Sequence, residues 1–175
     1  MKKTLLKLLP LIVIVFLNIS CSKSDDGNIP YASDGANPGQ NEVLNAKLRI
    51  NEDVFNTINT NRTNKITKGE AYAINNVKRV GDFLQINLSY SGGCKTHDFE
   101  IIWDGIVYTD EPSHMNLLLI HNANSDTCEA LITSTIVVNL EELIGDVIYK
   151  DHGAYHIYST YNSSESADAV IEGIN

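Results

Sequence analysis

Positive charge is scarce in this sequence, and the basic residues that it has are scattered. The chain has 13 Lys and Arg residues against 22 Asp and Glu, and Lys78-Arg79 is the only adjacent basic pair beyond the first three residues. Proteins that bind nucleic acid gather Lys and Arg on one face to neutralise phosphates, so this pattern argues against a nucleic-acid partner. It argues equally against attachment to an anionic membrane through charge alone.

Long apolar segments and the familiar catalytic motifs are also absent from the sequence. The N-terminal apolar run, residues 8–17, is about half of the roughly 20 residues that a membrane-spanning helix needs. We find no Gly-x-Ser-x-Gly, no His-Glu-x-x-His, no phosphate-binding loop and no dinucleotide fingerprint. The alternating oxygen side chains of residues 122–126 lack the glycine and glutamate that complete a calcium loop. Motifs therefore indicate no class of enzyme.

The N-terminus has the pattern of a cleavable export leader. Three lysines precede the apolar run, which is followed by small Ser20 and then Cys21. This order predicts a lipoprotein signal peptide over residues 1–20, with Cys21 as the acylated N-terminus of the mature chain. The alternative is an ordinary secretory leader beside an incidental cysteine. Covalent diacylglycerol and an N-acyl chain at Cys21 are the only non-protein groups that the sequence predicts, and no cofactor is expected.

The chain has only three cysteines, and their number supports the lipid assignment. An exported protein meets an oxidising compartment, where Cys94 and Cys128 can pair and leave Cys21 as the odd thiol. Acylation of Cys21 removes that free thiol. We therefore predict a Cys94–Cys128 disulfide that closes a loop of about 34 residues.

Residues 22–27, Ser-Lys-Ser-Asp-Asp-Gly, follow the lipidation site as a short acidic cluster. They resemble the surface-export signal of lipoproteins of the Bacteroidetes, which implies an anchor in the outer leaflet of the outer membrane with the domain facing outwards. Ser, Asp, Gly, Asn and Pro dominate through Gln40, so residues 21–41 are predicted to be a flexible tether. Without its leader the chain has a net charge near −12.

Residues 42–175 are enough for one domain with its own core. Period-two alternation predicts strands, and Asp104-Gly105 predicts a type I′ hairpin turn because both residues tolerate positive φ. The expected elements are a strand over 71–78 that turns into another over 84–90, a hairpin of 99–103 with 106–108, neighbouring strands at 115–121 and 130–138, one helical turn at 140–143, and a terminal hairpin of 147–150 with 155–158. Residues 45–64 are left open as a loop, an edge strand or part of the linker. The sequence thus predicts an all-β fold: a single antiparallel β-sandwich, or an open barrel.

A second resemblance is carried by Tyr90–Phe99, with its glycine pair and Cys-x-x-His-x-Phe, together with the His-Asn-Ala-x-x-Asp turn in Leu118–Asp126. The region from Tyr72 to Leu140 resembles uncharacterised flavobacterial lipoproteins and the C-terminal β-sandwich of NigD-like lipoproteins. This resemblance implies an Ig-like sandwich in a surface lipoprotein. It brings no established activity and no functional residues beyond the lipid site.

The same region leaves one chemical alternative open. Cys94, His97, His121 and Cys128 are two thiols and two imidazoles, which is a ligand set that zinc accepts. The His-x6-Cys spacing is unusual for zinc, and oxidation in the envelope favours the disulfide over the metal. The five histidines could also form a base cluster, although a lone histidine in a β-rich domain is more often a turn or rim residue.

Aromatic residues are concentrated near the C-terminus. Tyr155 and Tyr158 flank His156 in the last expected hairpin, and tyrosine is a good contact residue for sugars and proteins. Pairing of aromatic side chains across strands inside the sheet explains the same residues.

Two functional hypotheses follow. In the first, a lipid-anchored module at the surface of the outer membrane binds a glycan, protein or envelope partner without catalysis. In the second, the histidines build a small metal-dependent or histidine-dependent hydrolase on the envelope. Histidines and acids that converge in one pocket would favour the hydrolase, whereas dispersed ones would favour the binding module.

Overall fold

A computed structural model describes residues 42–174. The expected signal peptide, Cys21 and the tether lie outside these residues. Within the described range, no helix is both long and apolar enough to cross a membrane.

Nine strands and three helices make up the described part of the chain. In chain order they are β1 (Glu42–Asn45), β2 (Lys47–Ile50), α1 (Glu52–Thr63), β3 (Tyr72–Val80), β4 (Phe83–Gly92), β5 (Asp98–Trp103), β6 (His114–Asn122), β7 (Ala130–Asn139), α2 (Leu140–Leu143), α3 (Val147–His152), β8 (Ala154–Ser159) and β9 (Ala169–Ile171).

The strands form two sheets, and the predicted all-β sandwich-like fold is confirmed. The first sheet has the order β1-β7-β4-β3 and the second the order β2-β5-β6-β8-β9. The sheets are mixed, however, where an antiparallel sandwich was expected: β1 runs parallel to β7, β2 to β5 and β6 to β8. Parallel neighbours need a long crossover. Between β6 and β8 the chain supplies one by passing through β7 of the other sheet and then α2 and α3.

The main core lies between the two sheets. Alternate residues of β4, among them Leu84, Ile86 and Leu88, are fully buried against side chains such as Leu117 and Leu119 of β6. This is the period-two burial that the sequence pattern of residues 84–90 predicts. The β3–β4 turn also forms as expected, with Gly81 at a φ of 57°.

A second, smaller core explains why β6 is apolar on both faces. Helix α1 covers part of the outer face of the second sheet and packs Phe55 and Ile58 against Ile102, Leu118 and Ile120. The run Leu117–Ile120 is buried at four consecutive positions because two of these side chains face the main core and two face α1. The stretch that the sequence left open, residues 45–64, therefore contains β2 and this helix.

The hairpin expected at Asp104-Gly105 is wrong. Gly105 does have a positive φ of 82°, but Asp104 is buried and its side chain organises the turn. Its Oδ1 accepts the Ile106 N–H at 2.9 Å, and its Oδ2 accepts the Tyr108 hydroxyl at 3.1 Å. These bonds draw the following residues away from a ladder with β5, which pairs with β2 and β6 instead.

Two further expectations about pairing are wrong. Strands β6 and β7 are not neighbours, because the segment between them crosses from the second sheet to the first. The terminal hairpin is replaced by helix α3 followed by β8 parallel to β6. The helix forms because the Asp146 carboxylate caps it, accepting the N–H groups of Ile148 and Tyr149.

Candidate functional site

The Cys94–Cys128 disulfide is present in the structure, with a Cα–Cα distance of 5.8 Å. It ties the loop after β4 to the loop that carries the chain from β6 to β7. Each of these loops crosses from one sheet to the other. The bridge therefore lies at one end of the sandwich and joins the two crossing loops.

Beside the disulfide, the Asp126 carboxylate is the centre of a hydrogen-bond network. Its side chain is shielded from solvent, and it accepts the backbone N–H groups of Cys128, Cys94 and Lys95, each at 2.9 Å. These bonds, that of Cys128 first, hold the pKa of Asp126 well below its usual range against the opposing effect of burial. The ionised carboxylate therefore holds the loop that contains Cys94 and Lys95 against the loop that contains Cys128.

Two buried histidines extend this network inwards. His97 Nε2 lies 3.2 Å from Asp126 Oδ2, and His97 Nδ1 lies 2.7 Å from His121 Nε2. Asp126 can only accept, so Nε2 of His97 carries a hydrogen and donates it to the carboxylate. Nδ1 of His121 is buried with no hydrogen-bond partner among the described residues. Burial above all, and then the neighbouring His97, lower the pKa of His121.

In this relay, Asp126–His97–His121, the His97 ring is covered by the backbone of β4, whereas Asp126 lines a surface cavity of about 560 Å³. A Cβ added to Gly92 would lie 2.5 Å from His97 Nε2, so the backbone of β4 rests directly on the ring. His121 stacks on Phe99 with centroids 4.7 Å apart and planes 7° from parallel. The four residues of the zinc alternative are not arranged as metal ligands in the structure. The sulfurs of Cys94 and Cys128 form a disulfide, and Nδ1 of His97 is hydrogen-bonded to Nε2 of His121.

We expect acid to destabilise the protein, starting near neutral pH. The pKa values of both His121 and His156 are lowered in the fold, chiefly by burial, so the unfolded chain binds more protons as the pH falls through about 6.5. Stabilisation is thus present above that pH and lost below it. Asp126, whose pKa is also lowered, adds a further loss below about pH 4.

Urea unfolding at a series of pH values measures this slope. The variant His121→Phe, which keeps a ring against Phe99, should flatten the dependence between pH 7.5 and 5, while His152→Gln at an exposed position should leave it unchanged. If the free energy of unfolding depended on pH equally in all three proteins, the result would contradict the assignment of this dependence to His121.

The aromatic binding residues expected from the sequence separate in the structure. Tyr155 is fully buried, faces the main core and donates its hydroxyl to the Lys150 carbonyl at 2.7 Å, so its expected binding role is wrong. His156 and Tyr158 point to the outer face of the second sheet. His156 stacks on His114 at 4.4 Å, and Tyr158 stands beside helix α1. Successive side chains of a strand point to opposite faces of the sheet, which explains why Tyr155 faces the main core and His156 and Tyr158 face outwards.

Arg62 forms the most unusual contact on this outer face. It follows Phe55 and Ile58 on the same face of α1, and its exposed fraction is 2%. Its guanidinium lies over the Tyr158 ring, with Cζ 4.6 Å from the centroid. Nε donates to Asn59 Oδ1 at 2.8 Å, and Nη1 donates to the backbone carbonyls of two loop residues, Asn162 and Ser164. Burial, the main cause, lowers the pKa of Arg62.

A pocket of about 210 Å³ opens at this guanidinium. Helix α1 forms one wall, the outer face of the second sheet the floor, and the loop after β8 the other wall. The pocket is lined by Phe55, Asn59, Arg62, Thr63, Asn116, Tyr158 and Glu165. We call it the Arg62 pocket. Its lining combines one cation, two amides, a hydroxyl, a carboxylate and two aromatic rings, which suits the binding of a small polar ligand.

Sequence reasoning found only Tyr158 of this pocket. Helix α1 supplies four of the seven lining residues, and its start is marked by Asn51, whose side chain accepts the Val54 N–H at 2.8 Å, followed by two acidic residues. That capping pattern, with apolar residues three and four positions apart, was the available signal. Arg62 itself carries no sequence signal for burial, because an isolated arginine in a polar stretch is usually exposed.

The fold is thus an all-β sandwich with a helix-covered pocket, and solved structures offer comparisons for it. No protein-family model and no curated protein sequence matches the chain. A NigD-like immunity protein from Bacteroides caccae is 18% identical, with a TM-score of 0.47 over 77% of this chain and 60% of that chain. A putative toxin-related protein from Parabacteroides distasonis is 19% identical, with a TM-score of 0.45 over 74% of this chain and 59% of that one.

A protein of unknown function from Bacteroides vulgatus is 11% identical, with a TM-score of 0.47 over 77% of this chain and 57% of that one. The chain therefore spans about three-fifths of the length of the proteins to which it is similar. The similarity to NigD-like proteins expected from the sequence is found again among structures.

Proposed function

We propose that this chain is a lipid-anchored protein at the surface of the outer membrane that acts as a non-enzymatic binding module. The leader, Cys21 and the acidic cluster that follows it support this location at the outer membrane. The Arg62 pocket supports the activity: a buried guanidinium lines a polar cavity and retains two N–H groups that have no acceptor among the described residues. The membrane is reached through the acyl chains, and the pocket is offered to a glycan or protein partner outside.

The alternative, a histidine-dependent hydrolase, draws on the Asp126–His97–His121 relay. In a hydrolase, the outer nitrogen of the histidine activates a hydroxyl or thiol. Here the second imidazole takes that position, and within residues 42–174 no hydroxyl or thiol is hydrogen-bonded to either ring. Both rings are also buried. The network therefore serves better as support for the disulfide loops than as a reaction centre.

The anchor and the pocket are tested separately. Cys21→Ser should move the protein from the membrane fraction to the soluble fraction and abolish labelling with a palmitate analogue. Label that persists in this variant would contradict acylation at Cys21.

For the pocket, the full-length protein is applied to a glycan array and compared with Thr63→Trp, which fills the cavity from the last turn of α1. Thr57→Trp is the matched control, since Thr57 is exposed on the same helix and does not line the pocket. We expect at least a tenfold loss of signal for Thr63→Trp alone. An equal signal from both variants would exclude the pocket as the binding site.

A further inference from the structure

We propose that the Arg62 pocket recognises a carboxylate-bearing sugar, a hexuronic acid residue of an acidic glycan. This inference rests on the binding function proposed above and names the ligand class for that pocket. Three properties of the pocket carry it: an unpaired buried charge, the donors that protein contacts leave free, and the chemistry of the opposite wall.

No salt bridge within the described residues involves Arg62. Arginine is almost never fully buried unless it is paired, because moving an unpaired charge out of water is costly. Six Lys or Arg salt bridges are made elsewhere in the same part of the chain. Asp168 acts electrostatically on the Arg62 guanidinium and Glu165 lines the same pocket, but neither carboxylate is hydrogen-bonded to it in the described structure. A bound anion would supply that contact.

Residues that line the pocket keep hydrogen-bond donors that the described protein does not use. A guanidinium has five N–H groups, of which three are used by Asn59, Asn162 and Ser164. The two on Nη2 have no acceptor among residues 42–174. Asn59 and Asn116 use their side-chain oxygens within the protein, for Arg62 and for the Tyr158 hydroxyl, and leave their NH₂ groups without a described partner. The pocket thus offers donors around one cation, which matches a carboxylate flanked by other oxygen atoms.

The wall formed by the loop after β8 favours singly charged anions over more highly charged ones. Glu165 lines the pocket and brings its own negative charge, so a phosphate with nearly two charges would face repulsion that one arginine does not offset. A carboxylate has a single charge. The hydroxyls of the sugar can donate to Glu165 and Thr63, which line the pocket. The volume of 210 Å³ is below the roughly 300 Å³ of the smallest drug-sized pockets and limits the site to about one residue.

The first test changes the ligand and leaves the protein intact. Full-length lipidated protein in detergent is titrated with D-glucuronate, its methyl ester, D-glucose, acetate and inorganic phosphate, by NMR or calorimetry. We expect glucuronate to bind at least tenfold more tightly than each of the others. Removing the charge by esterification removes the partner of Arg62, while acetate lacks the hydroxyls. Phosphate or acetate binding as tightly as glucuronate would overturn the sugar assignment.

The second test changes the pocket. Arg62→Met should abolish glucuronate binding, and Asn116→Asp, on a sheet strand and nearly the same shape, should weaken it at least tenfold by adding negative charge. Glu165→Gln should strengthen binding a few-fold because it removes the competing carboxylate. The opposite signs of the last two variants would not arise from a loss of folding, which thermal unfolding monitors in each variant.

The outcomes separate this inference from the binding function itself. Glucose bound as tightly as glucuronate, with loss in Thr63→Trp, would overturn the carboxylate while leaving a glycan-binding pocket. A ligand that binds equally to the wild type and Thr63→Trp would overturn both.

Discussion

Reduction of the Cys94–Cys128 bridge should lower the free energy of unfolding by about 3 to 4 kcal/mol, which is the chain-entropy value for a loop of this length. For a domain of this size, that loss corresponds to a fall in melting temperature on the order of 10 °C. The effect is large because it is a substantial part of the roughly 5–15 kcal/mol that stabilises ordinary domains.

Thermal unfolding with and without a reductant measures the effect, and the Cys94→Ser/Cys128→Ser double variant should behave as the reduced wild type. Cys21→Ser serves as the matched control and should retain the full melting temperature. Mass spectrometry of a non-reduced digest identifies the bridge directly. Free thiols at both positions with stoichiometric zinc would instead support the Cys/His metal site.

Gly69→Ala should strongly destabilise the protein, because it combines a left-handed backbone with a clash against another backbone segment. Gly69 has a φ of 86°, and a Cβ there would overlap the backbone carbonyl oxygen of His121 on β6. We expect a loss of about 3 kcal/mol, combining the left-handed backbone penalty with a clash that no side-chain rotation relieves. The Glu70 N–H donates to the same carbonyl at 3.0 Å, so the clash also disturbs the register of this contact.

Gly81→Ala provides the comparison for this prediction. Gly81 also has a positive φ, of 57°, but no atom lies within 4 Å of its added Cβ. Only the backbone penalty of about 1 to 2 kcal/mol should remain. Chemical denaturation of both variants separates the two contributions, and similar losses at the two positions would show that the His121 carbonyl moves aside freely.

Local sequence pattern correctly predicted which residues of β4 are buried, since its burial depends on alternation within the strand itself. Of the strand pairings, it correctly predicted the one between β3 and β4, which a short turn joins. Pairing depends on where the connections travel, and the connection after β6 crosses to the other sheet. The prediction of a hairpin at Asp104-Gly105 failed for a related reason. The positive φ was correct for Gly105 but not for Asp104, whose buried carboxylate holds the following residues by side-chain hydrogen bonds.

The candidate site shows the same limit. The histidines and cysteines stood out in the sequence because of their chemistry, and His97 and His121 do meet, yet they meet in a buried network with Asp126. The pocket instead forms where three separate segments converge on Arg62. Such convergence is a property of tertiary structure, and no spacing along the chain encodes it.

The first two strands give the protein a vulnerability to proteolysis. Strand β1 covers the edge of β7 and β2 covers the edge of β5, with only Ala46 between them. Loss of residues 42–50 after a cut behind this pair would make β7 and β5 the edge strands of their sheets in place of β1 and β2. The new edge strands would be longer than the four-residue strands that they replace, and long uncovered edges pair with other chains. The remaining domain would therefore tend to self-associate, whereas a cut before Glu42 would leave β1 and β2 in place.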